Sequence, residues 1–70
     1  MDRQPVRSSN LAGVGYDPEY GTLEIEFRDS GVYQYFDVPP SVHEGLMSAP
    51  SHGKFFHAHI RNKYKYTKVK

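Results

Sequence analysis

The clearest pattern in the chain runs from Thr22 to Arg28, where Leu23, Ile25 and Phe27 alternate with Thr22, Glu24, Glu26 and Arg28. A period of two predicts a half-buried strand, with Glu24 and Glu26 on its solvated side. Asp29-Ser30-Gly31 follows as a hairpin loop, and the β-branched and aromatic run Val32-Tyr33-Gln34-Tyr35-Phe36 predicts an antiparallel partner. Upstream, Val6, Leu11, Val14 and Tyr16 are spaced irregularly, and Gly13 and Gly15 suit a bent or bulged strand over residues 10–16. Asp17-Pro18-Glu19-Tyr20-Gly21 has the residues of a turn, with a fixed φ at proline and a tolerated positive φ at glycine. The expectation is a three-stranded meander, preceded by a flexible leader over residues 1–5.

Beyond Val38-Pro39-Pro40 the period changes. A proline has no amide to give a central strand but fits the first turn of a helix. Val42, Leu46 and Ala49 then recur at helical spacing, with Met47 beside them, which predicts a helix over 40–49. Pro50 ends it, and Ser51 is placed to cap a second helix through the amide at 53 or 54. Phe56, Ile60 and Tyr64 form the apolar row of that helix, over about 52–62. The predicted fold class is α+β, a small three-stranded antiparallel meander with two short helices packed on one face.

Seventy residues leave room for one core and exclude a two-domain enzyme. A chain this short buries only about 60% of its unfolded surface, so its six Tyr and four Phe must supply much of the bulk. The absence of Cys removes disulfides, thiolate nucleophiles and cysteine zinc sites. No apolar run approaches the roughly 20 residues of a membrane span, and no signal peptide opens the chain, so a cytoplasmic protein without a membrane partner is expected. The net charge of +1 hides an asymmetry: residues 1–60 carry four Lys or Arg against eight Asp or Glu, whereas residues 61–70 carry five cations and no acid.

An ordered set of short motifs carries a family resemblance. It comprises Val6, Ser8-Ser9-Asn10-Leu11, Gly15-Tyr16-Asp17, Leu23 to Phe27, Gly31, Tyr33-Gln34-Tyr35, Val38-Pro39 and Leu46. It continues through Ala49-Pro50-Ser51-His52-Gly53-Lys54-Phe55-Phe56 to Ile60-Arg61 and Tyr64. Over residues 6–64 the chain resembles the KTSC domain, a short domain found alone in bacterial and phage proteins and at the C-terminus of some lysyl-tRNA synthetases. The resemblance implies a domain with no established activity, for which the synthetase attachment suggests RNA binding. The chain departs from the family pattern at His57, where Asn is more usual, and in a basic tail over residues 65–70.

In that tail and the residues before it, Arg61, Lys63, Lys65, Lys68 and Lys70 interleave with Tyr64 and Tyr66. Cations for phosphate and flat rings for bases are what a single strand of nucleic acid requires. The competing reading is a solvated, solubilising tail. Tyr33 and Tyr35, two apart, share a face of their strand. They form either an exposed stacking platform or part of the core beneath the helices, and burial is the expectation. Ser51, Gly53 and Lys54 at the start of the second helix present free amides and a cation, an arrangement for an anion, with ordinary capping as the alternative. His43, His52, His57 and His59 lack the spacing of a metal site, since 57 and 59 point to different sides of a helix. Glu24 and Glu26 read as solvated strand residues and not as a catalytic pair, and no nucleophile motif or phosphate loop is present.

The function expected is therefore a non-enzymatic module without cofactor or metal that binds RNA through Lys54, Arg61, Lys63, Tyr64, Lys65, Tyr66 and Lys68. The alternatives are a protein-interaction or homo-oligomerising module built on a sheet edge and a small anionic-ligand, nucleotide-type binder at Ser51–Lys54.

Overall fold

A computed structural model describes residues 1–70. Five strands and two helices follow in the order β1 (Gln4–Pro5), β2 (Leu11–Asp17), β3 (Thr22–Phe27), β4 (Gly31–Tyr35), α1 (Pro40–Ser48), α2 (His52–His59) and β5 (Tyr66–Lys68). The strands form one antiparallel sheet in the order β1-β2-β3-β4-β5. The class is α+β, but the three-stranded meander is the centre of a five-stranded sheet. The two additional strands come from segments expected to be a leader and a tail. Both are short and polar, so neither shows a period of two; their pairing partners hold them in place.

The register explains which side chains face the helices. Val14, Ile25, Tyr33 and Lys68 lie side by side across the sheet, and Tyr16, Leu23, Tyr35 and Tyr66 form the next row. Leu11 and Val14 are three apart and would point to opposite sides of a regular strand. A bulge between Leu11 and Gly13 inserts one extra residue, so both turn inward, at 0% and 2% exposure. Leu46 from α1, Phe56 from α2 and Ile60 just beyond it close the core over Leu11, Val14, Leu23, Ile25, Tyr35 and Val38.

The helices pack closely because Gly45 faces the Phe55 ring: a Cβ at this position would come within 2.6 Å of Phe55 Cζ. Pro40 opens α1, and Ser51 caps α2 by accepting a hydrogen bond from the Lys54 amide at 3.2 Å. His52 Nδ1 donates to the Leu46 carbonyl at 2.7 Å, satisfying one of the carbonyls left free at the end of α1.

The opposite face of the sheet corrects the reading of Glu24 as solvated. Glu24 is only 5% exposed. Its row continues to Gln34, the residue directly across the strand pair, whose Nε2 donates to Glu24 Oε1 at 2.8 Å. Arg3 donates from Nη1 to Glu24 Oε2 and from Nε to Glu26 Oε1. Burial opposes ionisation of Glu24, but the hydrogen bonds from Gln34 and Arg3 and the Arg3 charge outweigh it, and the carboxyl lies below its ordinary range. Residues 1–3 lie across this face over Gly15, where a Cβ would approach the Asp2 carbonyl oxygen to 2.6 Å.

Candidate functional site

Phe27, Tyr33, Tyr35, Phe56 and Tyr66 converge on an open groove of about 370 Å³ between the sheet and the end of α2. Hairpin geometry puts Phe27 and Tyr33 on one face, with ring centroids 5.5 Å apart in an edge-to-face contact. Phe56 meets Phe27 at 5.2 Å and Tyr35 at 5.6 Å, both edge-to-face, so it forms the floor. Strand β5 brings Tyr66 over this floor, at 5.9 Å from Tyr33 and 5.5 Å from Tyr35. Tyr66 is 57% exposed, so its ring is an accessible wall, whereas Tyr35 at 5% belongs to the core. Tyr33 lies between the two, partly exposed. Burial, together with Tyr66 and Tyr33, pushes the Tyr35 phenol up to about 12 against the opposing charge of Arg61.

Polar groups ring the aromatic floor. Asn10, Asp29, Ser30, His57, Arg61 and Asn62 line the groove. Arg61 follows α2, and Asn62 adopts a left-handed φ of 64°, a conformation that Asn tolerates where a helix ends. Arg61 Nη1 donates to His57 Nδ1 at 3.2 Å. The Lys68 ammonium lies 5.9 Å from the centre of the Tyr33 ring, within the range of a cation–π contact.

The residues singled out from the sequence thus divide. Tyr33, Tyr35, Arg61 and Tyr66 come together in one groove, with Lys68 beside it. Lys63 and Lys65 are exposed nearby without lining it, and the Lys65 carbonyl accepts the Phe36 amide. Tyr64 packs against the core. Ser51, Gly53 and Lys54 lie in a separate polar depression with Arg7, Ser8 and Ser9, and this depression shares only Asn10 and His57 with the aromatic groove. Much of its hydrogen-bonding capacity is already used: Ser51 caps α2, and Ser8 Oγ accepts from the amides of Asn10 and Leu11 at 3.2 Å each.

The histidines are dispersed. His43 stacks on Tyr16 at 4.6 Å, and burial holds its imidazole below the ordinary value. His59 packs on Phe55 at 4.5 Å, and no group of three or more His, Cys, Asp or Glu is placed to hold a metal ion. Asn10, Asp29, Ser30, His57 and Asn62 join the groove without a pattern that marks them for it, and Phe27 and Phe56, legible only as apolar positions, join it too. Only the pairing of Phe27 and Tyr33 across a short hairpin was available to be read.

The family profile described as KTSC domain matches residues 7–64. This chain belongs to the KTSC domain family. It is similar over 70 residues, at 39% identity, to an uncharacterized protein of Stutzerimonas stutzeri, covering 99% of each. A lysine–tRNA ligase of Nostoc punctiforme contains a region 46% identical over 61 residues, which is 87% of this chain and 11% of the ligase. The crystal structure of a KTSC domain protein from Yersinia pestis matches with a TM-score of 0.97 at 46% identity, over 99% of this chain and 97% of the other. No helix in the KTSC fold of this chain is long and apolar enough to cross a membrane.

Proposed function

We propose that this KTSC domain is a non-enzymatic module that binds single-stranded RNA in the aromatic groove. The observation that carries the reading is the position of Tyr66, an exposed ring at the wall of a groove that Arg61 also lines, with the Lys68 ammonium near the neighbouring Tyr33 ring. An unpaired base stacks on such a ring, and the adjacent cations meet its phosphates. The occurrence of a related region within lysine–tRNA ligases, enzymes whose name includes an RNA, supports the same direction. Edge pairing with a protein is less favoured. Edge strand β1 contains Pro5, and edge strand β5 has three residues, with Lys68 in it and Lys65 and Lys70 flanking it, all features that discourage strand addition.

The test is fluorescence anisotropy of a mixed-sequence RNA at two salt concentrations. If Arg61, Lys63, Lys65, Lys68 and Lys70 all meet phosphates, log affinity against log salt has a slope of about −3.5. The double substitution Arg61→Gln with Lys68→Gln reduces that slope by about 1.4 and weakens binding at low salt. Truncation before β5 is the wrong comparison, because it removes a strand of the sheet. Absence of binding by the intact chain at low salt overturns the proposal, since charge acts most strongly there.

A further inference from the structure

We infer that the aromatic groove reads base identity and prefers a single unstacked guanine. This inference deepens the RNA-binding reading and rests on it. The aromatic floor does not distinguish bases, because every base has a π-face. Identity must come from the groups at the rim, and there the groove is asymmetric. Asp29 is its only carboxylate and Arg61 its only permanently charged cation. Asp29 sits in the β3–β4 hairpin loop, is exposed, and takes part in neither of the ion pairs of the molecule, which both belong to Arg3 on the other face.

A carboxylate has two oxygens that only accept hydrogen bonds. Its best complement on a base is a pair of adjacent N–H donors, which guanine presents through N1–H and its exocyclic amino group. Uracil offers one N–H between two carbonyl oxygens, which a carboxylate repels. Adenine and cytosine each offer an amino group beside an acceptor nitrogen. Asn10, Ser30 and Asn62 can serve the carbonyl and sugar hydroxyls of the same nucleotide, and Arg61 with Lys68 its phosphate. The volume of about 370 Å³ lies toward the lower end of the ~300–1,000 Å³ typical of small-ligand sites and suits one nucleotide.

The experiment compares a labelled oligouridine of about ten residues with versions carrying one central G, A or C, in anisotropy titrations at low salt. One guanine tightens binding about tenfold over oligouridine, the size of a good paired base contact, and A and C give less. Asp29→Asn, a change in an exposed loop, removes the guanine advantage and brings all four oligonucleotides within about twofold of one another, with oligouridine bound as tightly as before or more tightly, since a charge that repels it is gone. If all four bind equally to the intact domain, or if Asp29→Asn leaves the guanine preference in place, the base-reading inference is overturned and RNA binding stands. If none binds, both readings fall. Guanosine monophosphate titrated alone separates the two sources of the base: competition at concentrations as low as those of the G-containing strand would overturn the single-strand assignment in favour of a free nucleotide.

Discussion

The two faces of the sheet are held by different physics. The face beneath the helices presents Leu23, Ile25, Val14 and Tyr35 to Leu46, Phe56 and Ile60, and its stability comes from removing apolar surface from water. The opposite face presents Glu24 and Gln34 in adjacent positions of one row, with Arg3 joining Glu24 to Glu26 and Val32 buried across from Glu26. Neither alternation nor composition separates a solvated polar face from a networked one. In this molecule the difference arises from a residue more than twenty positions away in the chain. Dispersion and hydration hold the first face until its Tyr35 phenol ionises at alkaline pH; the second depends on the charge state of Glu24.

The largest effect expected is on the apolar face. Phe56→Ala removes a ring that contacts Phe27 and Tyr35, and a cut of this kind costs about 3–5 kcal/mol. At about 4–8 °C per kcal/mol for a domain of this size, thermal unfolding followed by circular dichroism shifts down by more than 10 °C, or the domain does not fold. An unchanged midpoint would mean that the groove floor is not part of the core.

A smaller, pH-dependent effect separates the faces by sign. Glu24 titrates lower in the folded domain than its ordinary value of 4.5, so below that value the unfolded chain binds the proton first and stability declines with falling pH. Tyr35 behaves in the opposite way. Its phenol ionises near 10 when unfolded and about 12 when folded, so stability declines as pH rises through that interval. Glu24→Gln reduces the acid limb and leaves the alkaline one, whereas Tyr35→Phe reduces the alkaline limb, to which Tyr16, also raised by burial, still contributes, and leaves the acid one. His43, held low by burial, adds to the loss on the acid side below its ordinary 6.5. Thermal melts over the full pH range check all of these directions.

The smallest effect on stability belongs to Tyr66. Exposed by 57%, it can be replaced by Ala at a cost of about 1 kcal/mol or less, yet this change removes the stacking wall and with it most of the RNA affinity. A melt and a binding titration on the same variant test that separation. A large loss of stability would return Tyr66 to the core side of the comparison.

What was legible in the sequence follows the same division. Thr22–Phe27 and Gly31–Tyr35 were readable because packing on one face imposes a period of two, and the helices because Leu46 and Phe56 sit in helical repeats. Strands β1 and β5 were not, since two or three polar residues carry no period and their place is decided by partners elsewhere. Glu24 looked solvated for the same reason: alternation reports a face, and only Arg3 and Gln34 show that the face is covered. A third of the groove was visible as Tyr33, Tyr35, Arg61 and Tyr66. Asn10, Asp29 and Asn62 reach it from three separate loops and turns, where no local pattern exists to mark them.

Strand order in the sheet repeats strand order in the chain, which has a consequence for how the molecule assembles in time. Strands β1 to β3 each pair with the strand that follows them across a short connection, so those contacts close short loops and form early. Pairing of β5 with β4 must instead wait for a loop that spans both helices. The segment carrying Tyr66 and Lys68 is therefore expected to dock as a late clasp on the body already formed, which pulsed hydrogen exchange during refolding checks. The groove, with Tyr66 as its wall, is completed only when that clasp shuts.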